Sequence, residues 1–187
     1  TPELSEVLVM QRGGGSAIAA AIASGAKAVV VAEEHREAAK ILREHYGVQI
    51  VEDSPAAFLA RSKRRYSIIQ IERWGASLPG AAALDQNRLT TVDSFATCLR
   101  HLKENGMLAV SGKLLLPPAN IPRLWATAYE ALEAVGKARP ADHLAILRNW
   151  DVFTLIVSNR SLFDASLPSE SSQQASLLKK FAERLNF

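Results

Sequence analysis

Thiols, imidazoles and thioethers are scarce in this chain of 187 residues. Cys98 is the only cysteine, so the chain can make no intrachain disulfide and no thiolate zinc cage. Four histidines, His35, His45, His101 and His143, stand far apart and show no ligand spacing. Aromatic residues make up 6% of the chain. No apolar run reaches membrane-spanning length, and no secretory signal peptide opens the sequence. Neither charge dominates: 22 basic and 19 acidic side chains leave a net +3. Nucleic-acid binders concentrate basic residues on one face, and the densest cluster here, "RSKRRY" from Arg61, reads more simply as a solvated helix end before a strand. No nucleic-acid partner is expected. The chain reads as an intracellular, soluble domain; opening on Thr1 leaves a fragment or processed piece open.

What is present is an ordinary globular balance, 48% hydrophobic and 22% charged, arranged as apolar runs that alternate with helical patterns. Strands are expected at 7–10, 26–33, 48–53, 66–72, 107–112, 143–149 and 151–159. Helices are expected at 16–24, 35–47, 54–62, 90–106 and 121–136. Gly25, Gly47, Gly106 and Gly136 serve as stop signals, and Ser54-Pro55 as a start. In the helix from His35, residues Ala38, Ile41, Leu42 and Tyr46 fall near one face. Strands alternating with helices of this length require a parallel sheet covered on both faces. The last two strands, joined by a tight turn, add an antiparallel hairpin at one edge. The fold class is α/β: a Rossmann-like, doubly wound, seven-stranded sheet. Domain boundaries are set at 1–165, with 166–187 as a polar linker and an amphipathic C-terminal helix packing on or following the domain. Residues 73–89 lack a clear element and read as a lid or binding loop, compatible with a short helix at "GAAALDQ".

The first strand runs into Gly13, Gly14 and Gly15, then a helix. A bare backbone at such a turn lets a nucleotide approach the helix N-terminus, though a tight turn without ligand has the same sequence. Glu33 ends the second strand twenty residues after Gly13, where a carboxylate can accept from both hydroxyls of a ribose. Asp53 ends the third strand. It can accept from the exocyclic amine of adenine while the Ser54 backbone N–H donates to a ring nitrogen, or it can simply cap the next helix. Ile18 stands where a G-x-G-x-x-G fingerprint has its third glycine, which argues against NAD.

The segments "VLVMQRGGGSAIAAAIASGAKAVVVAEE", "VEDSPAAFLARSKRRYSIIQIE" and "LTTVDSFATCLRHLKENGMLAVSG" resemble the spermidine synthase branch of the class I S-adenosylmethionine-dependent methyltransferases, collinearly from Val7 to Gly112. The remainder is similar to bacterial spermidine-synthase-like domains, some of which are joined to membrane segments. The resemblance implies a seven-stranded sheet whose final strand is antiparallel, with S-adenosylmethionine or its decarboxylated form as ligand. It assigns Gly13 and Gly15 to the glycine loop, Glu33 to the ribose and Asp53 to the adenine.

The polyamine-binding carboxylates of that family are largely replaced. Ser16 follows the glycines where the synthases carry an aspartate. In the fourth strand Ser67 and Glu72 stand at two further aspartate positions, with Gly75 near a third. Glu72 is the candidate general base, with a surface carboxylate beside Arg73 as the other reading. Two functions follow: a transferase with an altered acceptor site, or a non-catalytic nucleoside-binding or structural module. The expected partner is a small nucleoside ligand. A homodimer is left open, as is a place in the cytoplasm, free or as the cytoplasmic part of a membrane protein.

Overall fold

The computed structural model describes residues 5–10, 15–73, 89–114 and 120–163. Glycine residues 13 and 14, most of the expected lid and the expected C-terminal helix lie outside them. The elements run β1 (Glu6–Met10), α1 (Ser16–Ala23), β2 (Ala28–Ala32), α2 (Arg36–Tyr46), β3 (Gln49–Val51), α3 (Pro55–Arg61), β4 (Tyr66–Arg73), α4 (Val92–Arg100), β5 (Leu102–Lys113), α5 (Asn120–Ala134), β6 (Leu144–Arg148) and β7 (Val152–Ser158). A 3-10 turn at Pro140–His143 precedes β6 and has no counterpart in the sequence reading. The seven strands form one sheet in the order β3-β2-β1-β4-β5-β7-β6. β1 to β5 pair in parallel, and β7 is antiparallel to both β5 and β6. The expected fold class is the observed one.

The two faces of the sheet carry separate apolar clusters. Val7, Val9, Val29 and Val31 meet Ile18 of α1 and Leu42 of α2 on one face. Leu8, Met10, Val30, Ile69, Ile71, Leu108, Val110 and Leu155 meet α3, α4 and α5 on the other. Successive strand residues point to opposite faces, so continuous apolar runs are what a sheet covered on both sides requires.

Two local expectations are corrected. The face of α2 turns on Ala39 and Leu42, which are buried, whereas Ile41 is 64% exposed. The helix expected to run to Gly106 stops at Arg100. There the His101 ring lies between the Thr97 carbonyl, at 2.9 Å from Nδ1, and the Ser62 carbonyl, at 3.0 Å from Nε2. The next residues join the sheet as a bulge: from Leu102 to Met107 β5 advances five residues while β4 advances two, Tyr66 to Ile68. Gly106 is needed in that bulge because a Cβ there would lie 2.8 Å from the Tyr66 carbonyl oxygen.

Candidate functional site

Strand order places a topological switch point between β1 and β4. From β1 the chain crosses to β2 over one face, and from β4 it crosses to β5 over the other. The carboxyl ends of such strands form a crevice. Register brings four tips level: Met10 pairs with Ala32, Ala32 with Val51, and Met10 with Ile71. Glu33, Asp53 and Glu72 lie one or two residues past those pairs, each on a separate strand end. At about 4.8 Å per strand, the row from β3 to β4 spans about 14 Å.

The loop after β1 enters α1 at Gly15, which has φ +88 and whose carbonyl accepts from Ile18 N–H at 3.0 Å and Ala19 N–H at 3.1 Å. A Cβ at this position would lie 2.7 Å from the Tyr46 hydroxyl. Gly15 is therefore fixed by its left-handed backbone and by the Tyr46 phenol, a constraint that the sequence did not reveal because Tyr46 reads there as a core residue of α2.

Glu33 is only 3% exposed. Its backbone N–H donates to the Val51 carbonyl at 3.0 Å, tying the β2 tip to β3, and its Oε1 accepts from the His35 N–H at 2.8 Å. Among the described residues nothing donates to Oε2.

Asp53 is differently placed. Its Oδ1 accepts the Ser54 N–H at 2.8 Å, and its Oδ2 pairs with the Arg61 guanidinium from the end of α3. Ser54 occupies the N-cap position of α3 with Pro55 behind it, but its hydroxyl makes no capping bond. The acceptor and donor read as an adenine pair thus close on each other. The capping reading accounts for one bond, and the Arg61 contact, eight residues away, was not read from the sequence.

Glu72 is the most unusual group. It lies on the α1 side of β4 and is 5% exposed. Ser16 Oγ donates to its Oε1 at 2.7 Å across the switch point, while Oε2 is buried with no hydrogen-bond partner among the described residues. A buried acceptor left unpaired costs about 1–3 kcal/mol, and more when charged. The reading of Glu72 as a surface carboxylate is overturned by its burial. Ser16 and Glu72, each met in the sequence as a replacement, form one pair. Ser67 is a replacement of another kind. At the opposite end of β4 its hydroxyl donates to the Glu6 carbonyl at 2.7 Å and accepts the Glu6 N–H at 3.2 Å. Five residues of strand separate Ser67 from Glu72, about 17 Å. Ser67 therefore lies away from the crevice.

On the same face beside Glu72 runs a polar row. Gln70 Nε2 donates to Ser111 Oγ at 3.0 Å, and Ser111 Oγ lies 2.9 Å from Thr154 Oγ1. Ser111 is the register partner of Glu72. The row's sequence signal is a polar residue inside each of three apolar strands, Gln70 in "YSIIQIE", Ser111 in "LAVSG" and Thr154 in "VFTLIV". Cys98 faces the opposite core, where burial pushes its thiol up to about 12, so it stays an inert hydrophobe. Among the described residues no helix is long and apolar enough to cross a membrane.

No protein-family model and no curated protein matches the sequence. Solved structures do. Human methyltransferase-like protein 13 in complex with SAH superposes with a TM-score of 0.62 at 14% identity, over 96% of this chain and 82% of that one. A probable spermidine synthase from Corynebacterium glutamicum gives 0.61 at 16% identity, over 97% and 71%. Spermidine synthase from Thermotoga maritima gives 0.58 at 16% identity, and this chain, 86% of which is covered, spans only 55% of that protein. At these identities the likeness is one of architecture: the chain has the class I methyltransferase fold, in the form that methyltransferases and spermidine synthases share.

Proposed function

We propose that the tips of β1, β2 and β4 form an S-adenosyl site and that the domain transfers an alkyl group from the sulfonium, with Glu72 as general base. The observation that carries this reading is the buried Oε2 of Glu72 at the switch point, which has no hydrogen-bond partner among the described residues. A fold gains nothing by keeping such an oxygen, whereas a transfer reaction needs an acceptor for the proton that the nucleophile releases. The linear order of groups agrees. A nucleoside with its ribose on Glu33 directs its 5′ substituent across the β1 loop toward Glu72. Gly15 and the first turn of α1 leave backbone N–H groups beside that path. S-adenosylmethionine and its decarboxylated form both satisfy these contacts.

One observation favours a non-catalytic nucleoside-binding module instead: Asp53 and Ser54 are engaged with each other and with Arg61. A ligand that uses them must first open that contact. The deciding experiment incubates the purified full chain with each sulfonium donor and panels of small amines and alcohols. Mass spectrometry then follows the adenosyl thioether product. Thioether formation above the donor's spontaneous decay, lost in Glu72→Gln, is expected; binding without any thioether favours the module.

A further inference from the structure

We infer that the acceptor side of this site is a neutral hydrogen-bonding shelf, Gln70–Ser111–Thr154 beside Glu72, built for an uncharged hydroxyl-bearing acceptor rather than a polyammonium. The inference rests on the S-adenosyl reading and adds the acceptor class. Gln70 and Glu72 alternate onto one face of β4, Ser111 sits level with Glu72 on β5, and Thr154 sits level with Ser111 on β7. All three shelf residues are half-buried and hydrogen-bonded in series across three strands. Among the described residues α1 and α2 share no cluster with Met107, Ala109 or Ile156 around the shelf, although Ala109 and Ile156 are themselves buried.

Chemistry selects the occupant. An amide and two hydroxyls each both donate and accept, so they recognise a group that does the same, as a hydroxyl does. An ammonium only donates, and a polyammonium calls for several anions. Among the described residues Glu72 is the one carboxylate on this stretch of face, and Lys113, two residues past Ser111 on the same face, adds a positive charge at the rim. In the transfer, a lone pair of the acceptor oxygen forms the new O–C bond as the C–S bond breaks. The bonding pair stays on sulfur as a neutral thioether, and Glu72 Oε2 takes the hydroxyl proton. Ser16, through its bond to Oε1, is a positioning residue that keeps Oε2 facing the acceptor.

The test uses the full chain in two stages. Calorimetry with SAH examines the underlying reading, and absence of binding overturns that reading together with the proposal. With SAH binding established, S-adenosylmethionine is supplied with phenol, catechol and benzyl alcohol, or with putrescine and spermidine, and products are followed by mass spectrometry. Expected is O-alkylation of at least one hydroxyl compound at a rate at least tenfold above either polyamine. Thr154→Val and Ser111→Ala, the first isosteric, should each raise the KM of that acceptor several-fold with little change in kcat. Ser16→Ala should lower kcat and shift its pH profile, with Ser16→Thr restoring both. Preference for a polyamine, or SAH binding with no hydroxyl compound alkylated, overturns the shelf. Wild-type acceptor KM values in both shelf variants would do the same.

Discussion

Two carboxylates at strand tips in one crevice have opposite fates. At the end of β3 both oxygens of Asp53 are engaged, one by the Ser54 N–H and one by Arg61, and the side chain is 23% exposed. At the end of β4, Glu72 is 5% exposed, holds one hydroxyl and, among the described residues, leaves its second oxygen unpaired. The first arrangement is what a chain does to finish a helix start. The second lowers stability locally, and such groups gather where chemistry is done. Position alone does not separate the two acids, since both end a strand at the same level of the sheet. Unmet hydrogen-bonding capacity does.

The contrast can be broken most forcefully at Glu72. In Glu72→Met, transfer from the sulfonium should fall at least about 100-fold. Thermal unfolding should show a gain of about 1–3 kcal/mol, because an unpaired buried oxygen has been replaced by apolar surface of similar length. Loss of stability in this variant would make Glu72 as structural as Asp53. Gly15→Ala comes next. Its left-handed backbone alone should cost about 1–3 kcal/mol, with the Tyr46 collision added, and Tyr46→Ala in the same chain should recover only the second part. A denaturant melt of the two variants reads both. At Asp53 the expected effects are smaller. Asp53→Ala should cost about 1 kcal/mol through the helix start and the largely solvated ion pair. Arg61→Ala should tighten SAH binding about threefold by freeing an oxygen for adenine (about 0.6 kcal/mol). Unchanged or weaker binding in Arg61→Ala would remove Asp53 from the ligand.

Cys98 lies far from the contrast, and its effect is confined to alkaline pH. Its folded thiol is raised from 9.0 to about 12 by desolvation. Its contribution to stability is complete below pH 9 and declines as pH rises from 9 toward 12, since the unfolded chain ionises first. Melts in that window should show wild type losing more stability than Cys98→Ala, and native-state alkylation of Cys98 should be slow.

The alternation of strands and helices, and a parallel sheet covered on both faces, were legible because buried parallel strands and their helices leave long, regular apolar patterns. Local stops were less so. Asn105-Gly106 looks like a helix end but forms a bulge, because His101 closes α4 early and the residues after it find sheet partners. Ile41 shows how helical spacing admits neighbours of the true face. In the crevice, Glu33 and Glu72 could be named from their places at strand ends. The Ser16–Glu72 bond, the Arg61–Asp53 pair and the Tyr46 constraint on Gly15 could not, because each joins side chains from different elements whose distance depends on how those elements pack.

Calorimetric titration of SAH into wild type and Glu33→Ala addresses the adenosyl site most directly. Glu33 is buried at the β2 tip with one oxygen available, and a lost charge-assisted hydrogen bond is worth about 1.5–3 kcal/mol. Wild type should bind, and Glu33→Ala should bind about 10- to 100-fold more weakly. Equal affinity in the two proteins, or no binding to wild type, would contradict a ribose held at the end of β2.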